Sequence, residues 1–415
     1  MTAKRGRILL IKPVLPYPPN QGTRVASFGL IKALQSAHDV TVLARILHPD
    51  EMRDVRELEK WCDRVVPVMA PNRKSLAHRV VYKAFYWAKS TVLRRSLKSL
   101  YSCPGVFRRA AAELARENFD FVIIEYWQLY PLIDLFPRDR RVLFTHDIDL
   151  LVNRDISLLE RNLFRKIQAI RRWLVERKEE LAAYRSAGRV WALTDRDRVA
   201  IQRICFERCS VEVVPFGMDV EHLSPPGMER NRGEVLFMGH LAAPFNRDAL
   251  EYFFAKVYPH IDDIDPLSIT IVGGMLPKEV EHFGLLEEVE VVGHVEDIRP
   301  YLHRASCIVV PLRFGGGLRI RILEAMASGL PVVCSPVAIA GIPFEPEEDF
   351  LMGETPQEMA AQIRRLLSDP ELAASIADRA RKKVLEIYSE EGQRQRVLAM
   401  IDEAVQTPEN SHNRA

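Results

Sequence analysis

Residues 307–342 read CIVVPLRFGGGLRIRILEAMASGLPVVCSPVAIAGI, and this stretch decides the fold. The apolar run Ile308 to Pro311 predicts a buried strand. Gly315, Gly316 and Gly317 follow it. Ile320, Leu323, Glu324 and Ala327 then recur at helical spacing. Gly329 stops that helix, and Leu330 to Cys334 predicts a second buried strand. Glycines between a strand and a helix let backbone N–H groups come close to a ligand, and they leave the helix N-terminus open to a phosphate. Arg319 and Arg321 place positive charge in the first turn, where the helix dipole by itself favours an anion. Arginine there costs helix stability unless an anion is bound. Glu324 lies about one turn on, where a carboxylate could accept hydrogen bonds from sugar hydroxyls. The plainer reading is a βαβ unit with a flexible loop, and the order of glycines, arginines and glutamate favours the phosphate site.

The stretch resembles the nucleotide-sugar signature of the retaining glycosyltransferases of family 4. It is most similar to the subgroup written P-L-R-x-G-G-G-x-R-x-K-x-L-E-A-M-A-x-G-x-P-V-V. The resemblance implies a GT-B fold: α/β, with two Rossmann-like domains of parallel strands and an active-site cleft between them. It implies that Glu324 holds a nucleotide ribose and that Gly315, Gly316, Gly317 and Leu318 lie at the diphosphate and sugar. Many members carry an earlier glutamate, which falls at Gly316 here; the subgroup with three glycines lacks it too.

A chain of 415 residues is too long for one ordinary core and suggests two domains. Apolar residues at 47% and charged residues at 27% give a soluble globular balance, and the formal charge is only +2. Six scattered cysteines form no disulfide framework, and Cys205 and Cys209 lack a second pair of zinc type. A reducing cytoplasm is the expectation. No signal peptide and no membrane-spanning apolar run is seen in the sequence.

Arg7 to Lys12 predicts the first strand. The proline-rich loop from Pro13 to Thr23 follows, then a helix opened by Arg24 and running to about Ala37, then strand Val40 to Ala44. This order opens a doubly wound sheet. The loop is read either as a plain turn or, as the resemblance implies, as a place where Gly22 and Arg24 face the donor phosphates and the acceptor. Phe119 to Glu125 and Arg141 to Thr145 predict two further strands. His146-Asp147-Ile148-Asp149 comes directly after, at a strand end that faces the ligand crevice of a parallel sheet. Asp-x-Asp there could hold a metal, but Asp195 to Asp197 and Asp263 to Asp265 repeat the pattern elsewhere. The resemblance favours His146 as the residue that hydrogen-bonds the transferred sugar, with Asp147 orienting it; a structural histidine is the alternative. Arg189 to Leu193 and Val211 to Val214 complete the first half, with Thr194-Asp195 as a helix cap.

Two charged stretches stand out. Residues 72–101 carry eight Lys or Arg (73, 74, 79, 83, 89, 94, 95 and 98) and no acid, with Tyr82, Phe85, Tyr86 and Trp87 among them. They read as a helix packed through its aromatics or as an attachment to an anionic membrane surface, which the lack of acids slightly favours. No recognition motif supports nucleic acid. Asp155 to Ala183 reads as a long, charged helix with a solvated face.

The turn-rich stretch Pro215 to Pro226 predicts a hinge, with linker 216–232 between domains 1–215 and 233–388. Strands Glu234 to Met238, Ser268 to Val272 and Val289 to Val292 each lead to glycine: Gly239, Gly273 and Gly293. The resemblance places Gly239, His240 and Gly273 at the donor and Val295 against its base. The positions where many relatives keep Arg and Lys fall on His240 and Phe245, so the cation for the diphosphate is expected from Arg319, assisted by Arg313. The tail predicts helices broken at Asp369-Pro370 and near Tyr388-Ser389. A last helix, 389–406, returns to the first domain, and 407–415 is a disordered end.

The expected activity is retaining transfer of a sugar from a nucleotide diphosphate sugar to a hydroxyl of a saccharide, lipid-linked or small-molecule acceptor. His146, Arg319 and Glu324 are the expected catalytic residues. No metal and no cofactor is required. The expected location is cytoplasmic, with 72–101 able to reach the inner membrane face. A nucleotide-sugar epimerase and a non-catalytic scaffold on the same fold stand as alternatives.

Overall fold

A computed structural model describes residues 5–19, 22–69, 85–86, 88–90, 92–160, 162–206, 208–214, 216–225, 227, 230–274 and 283–406. The chain forms two compact units. Met1–Met218 and Glu390–Ala415 make the first, and Asp219–Ser389 the second.

The first unit is built on β1 (Arg7–Lys12), β2 (Asp39–Ile46), β3 (Arg64–Met69), β4 (Phe121–Glu125), β5 (Arg141–Phe144), β6 (Arg189–Ala192) and β7 (Ser210–Val213). The order is β3-β2-β1-β4-β5-β6-β7, and all the pairs are parallel. Helices cover both faces of such a sheet, so its strands are apolar on both sides. Ile8 and Leu10 of β1 pack with Val40 and Val42 on one face. Leu9 and Ile11 pack with Val122 and Ile124 on the other. The order reverses between β1 and β4, and the carboxyl ends of strands at such a reversal frame the ligand crevice of doubly wound sheets. Lys12 ends β1 and Glu125 ends β4.

The second unit has β8 (Glu234–Met238), β9 (Ser268–Val272), β10 (Val289–Gly293), β11 (Cys307–Val310), β12 (Val332–Cys334) and β13 (Leu351–Met352). Their order is β10-β9-β8-β11-β12-β13, again parallel. The reversal lies between β8 and β11, the strands that lead into Gly239 and into the triple-glycine loop.

The helix Glu390–Gln406 belongs to the first unit. Val397 and Ile401 enter the core beside Leu30 and Ile31, and Lys32 bonds Glu390. Residues 407–415, expected as a disordered end, lie outside the described residues, as do 72–84, 87 and 91 of the basic segment.

Two expectations change. The charged stretch Asp155 to Ala183 is helical and its cations Arg165, Arg171 and Arg172 are exposed as expected, but its acids are not all solvated. It spans the helices Asp149–Leu159 and Leu163–Ala187, and the second buries Glu176, Glu179 and Glu180. Nor are all cations of the segment 72–101 free for a surface. Arg95 pairs with Glu179 at 3.1 Å, and Lys98 with Asp149 at 2.9 Å and Glu176 at 3.7 Å. Buried carboxylates need such partners, and these supply them. Among the described residues no helix is long and apolar enough to cross a membrane.

Candidate functional site

In the second unit, the helix Ile320–Ala327 starts directly behind the glycine loop, with Arg319 as its N-cap residue. Gly315 and Gly317 have φ of +131° and +70°, backbone conformations that side chains disfavour. A Cβ on Gly315 would lie 2.4 Å from Arg319 Nη2, so the guanidinium folds back against the loop. It also lies over the Phe245 ring, 5.2 Å from the centroid. Phe245, which brings no charge of its own, thus supports the Arg319 cation through its π-face.

Arg321 faces the other way. Its guanidinium donates to the Met238 carbonyl and to Asn246 Oδ1. Burial, then the charge of Arg319, lowers its pKa to about 9. Gly239 makes room for it, since a Cβ there would sit 2.6 Å from Arg321 Nη1. Gly273 is required for a tighter reason: its Cβ would lie 1.8 Å from the Gly239 carbonyl oxygen. Backbone bonds join the three loops, from Gly239 N–H to Val272 O at 2.9 Å and from Gly273 N–H to Gly293 O at 2.8 Å.

Glu324 is half-buried. Burial raises its pKa to about 7 against the opposing charge of Arg321. Among the described residues its carboxylate has no hydrogen-bond partner. Arg313, expected to assist at a diphosphate, instead grips Asp248 with Nε at 2.9 Å and with Nη2, and it lies over Tyr252. That fork is occupied. His240 is exposed near Gly274, and Val295 is half-buried beyond Gly293.

In the first unit, His146 follows β5 and is 3% exposed. Its Nε2 lies 3.0 Å from Glu125 Oε2, so Glu125 is the carboxylate that orients the ring, a role the sequence reading gave to Asp147. Tyr126 stacks on the ring at 4.7 Å and Phe144 lies at 4.5 Å. Lys12 Nζ donates to Glu125 Oε2 at 2.8 Å and to the Thr23 carbonyl at 3.0 Å, and it also meets Ser27 Oγ. Burial works to raise the Glu125 pKa, but the Lys12 charge and the His146 and Lys12 hydrogen bonds bring it down to about 2. Burial lowers the His146 pKa, with Glu125 opposing, so the ring is neutral near pH 7. An ionised Glu125 accepts from Nε2–H, which leaves Nδ1 as the acceptor. Among the described residues, Nδ1 and Glu125 Oε1 are buried without a hydrogen-bond partner. Gly22 and Arg24 open the helix Gly22–Gln35, whose Thr23 and Ser27 reach this cluster.

Asp149, the second acid of the Asp-x-Asp pattern, accepts from Trp127 Nε1 at 2.8 Å, Gln128 Nε2 at 3.2 Å and Lys98 Nζ at 2.9 Å. Among the described residues no group of three or more His, Cys, Asp or Glu is placed to hold a metal.

At the start of the helix Ile320–Ala327, Arg319 thus meets Gly315 and Phe245, and Arg321 meets Gly239, which in turn packs on Gly273. Residues 232–369 match the family described as glycosyl transferases group 1. A D-inositol 3-phosphate glycosyltransferase of Salinispora arenicola is 26% identical over 212 residues, 44% of this chain. The aligned part spans about half of that relative, 47% of its length. Two solved structures resemble nearly the whole chain. Sucrose-phosphate synthase of Thermosynechococcus elongatus has a TM-score of 0.72 at 18% identity, covering 97% of this chain and all (100%) of that one. HepE of Anabaena, solved in complex with UDP and glucose, has a TM-score of 0.64 at 15% identity, covering 96% and 100%. The two parallel-sheet units are the GT-B architecture of these glycosyltransferase neighbours.

The sequence reading missed Lys12, Ser27, Glu125 and Asn246 as organisers of the two sites, and it set Arg321 toward an anion where the structure has it bonded to Met238 O and Asn246 Oδ1. A signal existed for two of them: RILLIK and FVIIE each end an apolar run on a charge, which a buried strand end tolerates only with a partner.

Proposed function

We propose that this chain transfers a glycosyl group from a nucleoside diphosphate sugar to an acceptor hydroxyl, with retention at the anomeric carbon. The observation that carries the reading is the start of the helix Ile320–Ala327. A glycine loop, a guanidinium held at the N-cap and a carboxylate without a hydrogen-bond partner one turn on match the three parts of such a donor: phosphates, developing negative charge and ribose. Loop amides of Gly315, Gly316 and Gly317, with Leu318 closing the turn, and Arg319 take the diphosphate. Glu324 takes the ribose hydroxyls. Gly239, His240 and Gly273 line the same strand ends, and Val295 packs on the base. His146 accepts a hydrogen bond from a hydroxyl of the transferred sugar through Nδ1, with Glu125 and Lys12 fixing its tautomer. Gly22 and Arg24 face the donor phosphates and the acceptor, and Asp147 follows His146 at the same strand end.

As the acceptor oxygen bonds to the anomeric carbon, the bond from that carbon to the diphosphate breaks, the diphosphate oxygen takes the electron pair, and the acceptor's hydroxyl proton passes to that oxygen. Preorganised donors aimed at that oxygen lower the barrier. The matched family over 232–369 and the UDP in the HepE structure support a nucleotide-sugar donor. The test is a thermal-shift screen of UDP, GDP, ADP and dTDP, since a ligand of the folded state raises apparent stability. The stabilising nucleotide's sugar conjugates are then incubated with and without acceptors, and the product's anomeric configuration is read by NMR. A screen in which none of the four stabilises the protein overturns the reading.

A further inference from the structure

The helix Leu163–Ala187 buries Ala183, Tyr184 and Ala187 in the core at its C-terminal end, but its N-terminal half turns apolar side chains outward. Leu163, Ile167, Ile170 and Leu174 recur at spacings of four, three and four, one stripe along one face. They are 73%, 58%, 38% and 53% exposed, and Phe164 beside them is 69% exposed. Leu158 and Leu159, at 66% and 46%, carry the patch into the end of the preceding helix. The opposite face holds Glu176, Glu179 and Glu180, all buried and bonded: to Asn153 at 2.7 Å, to Arg95 at 3.1 Å and to Tyr184 at 2.6 Å. A helix that only covered a core would turn these faces round.

Cations border the stripe on both sides. At 100° per residue, Lys166 and Arg177 fall on one flank and Arg171 and Lys178 on the other. Between Arg161 and Lys178 the sequence has one acidic residue, Glu176, and it faces inward. We propose that this stripe seats the protein on an anionic lipid surface, the aliphatic side chains entering the headgroup boundary and the flanking cations meeting lipid phosphates. Charge selects this occupant. A second copy paired through the same stripe would set these cations against their own equivalents, and the segment 70–84, with Arg73, Lys74, Arg79 and Lys83, has the same sign. The stripe from Leu163 to Leu174 is roughly 17 Å long at 1.5 Å per residue, so the helix lies on a bilayer and does not span one.

This inference does not depend on the proposed transfer activity, and its test reads binding alone. The full chain is floated with phosphatidylcholine vesicles, with and without phosphatidylglycerol. Wild type is expected to float with the anionic vesicles and not with the neutral ones, and to be released by salt. Phe164→Ser/Ile167→Ser and Arg171→Gln/Lys178→Gln should each weaken flotation by roughly tenfold or more. Both pairs are on the surface, and circular dichroism checks that the variants fold. Failure of wild type to float overturns the proposal. So does equal flotation of wild type and both variants, which would move the contact to another surface such as 72–101. A dimer in sedimentation equilibrium that Phe164→Ser/Ile167→Ser dissolves would make the stripe a protein interface and likewise overturn it.

Discussion

Glu324 is the residue whose charge state the donor itself would set. Burial holds its pKa up at about 7. Ribose hydroxyls donate hydrogen bonds to the ionised form and so lower that pKa on binding. The sign follows: affinity rises with pH up to about 7 and levels off above it. Glu324→Gln has no such titration, and the ligand phosphate titrates equally in both proteins. The ratio of the variant's Kd to that of wild type should therefore grow from pH 6 to pH 8 in calorimetry, and a constant ratio would remove Glu324 from the ribose. Glu324→Ala should weaken nucleotide binding by about 1–3 kcal/mol. Lys12 and Glu125 form a pair with both side chains fully buried. Lys12→Met leaves the carboxylate without its cation and should cost about 3–5 kcal/mol in denaturant unfolding, part of it regained in Lys12→Met/Glu125→Gln. The Glu125 pKa of about 2 lies below the ordinary carboxylate value. Its contribution is therefore present above that ordinary value and lost as pH falls toward 2. The pair was illegible in the sequence because its members lie 113 residues apart and meet only through the parallel pairing of β1 and β4.

At the scale of elements, the glycine loop and the helix behind it make one device, and two glycines separate its parts experimentally. A Cβ on Gly273 meets the backbone carbonyl of Gly239, which cannot swing aside; a Cβ on Gly315 meets the movable end of Arg319. Gly273→Ala should therefore act mainly on stability. Gly315→Ala should cost about 1–3 kcal/mol of strain and also displace the guanidinium, lowering turnover. Arg319→Ala sets the scale, with turnover expected to fall roughly 10²–10³-fold, as on loss of one preorganised donor. Arg319→Lys should restore only part, because ammonium keeps the charge without the planar fork. Wild-type turnover in Arg319→Ala would mean that other groups hold the diphosphate. The loop was legible because its glycines and arginines are contiguous. Glu234–Met238 and Ser268–Val272 were legible residue for residue, as apolar runs closed by glycine. β3 escaped because Pro67 interrupts it, as an edge strand tolerates, and β13 because two residues carry no period. In the helix Leu163–Ala187 the exposed arginines were legible, but the inward turn of Glu176, Glu179 and Glu180 was not, because partners such as Asn153 and Arg95 meet them only in the fold.

For the whole molecule, strand–helix alternation made two parallel-sheet units legible, while the strand orders needed the structure. Sequence order and spatial order part company at the last helix. Glu390–Gln406 follows all of the second unit in sequence yet completes the first. It approaches closely: a Cβ on Gly217 would lie 2.4 Å from Gln393 Oε1, and one on Gly29 3.0 Å from it. Val397 and Ile401 are 1% and 0% exposed in the first unit's core. Deleting Glu390–Ala415 uncovers that face. At about 1.5–3 kcal/mol for each fully buried aliphatic side chain, these two alone stabilise the first unit by roughly 3–6 kcal/mol. That is a large part of the marginal stability of a domain. Hydrogen exchange on the truncated chain should show protection lost in β1, β2 and the helix Gly22–Gln35, and kept in β8, β9 and β11. Nucleotide affinity, which the proposed site draws from Gly315, Arg319 and Glu324, should survive the truncation, while the proposed transfer, to which the proposal assigns His146, should be lost. Loss of nucleotide affinity together with first-unit protection would show that the donor site depends on the first unit, against the division of labour argued from these residues.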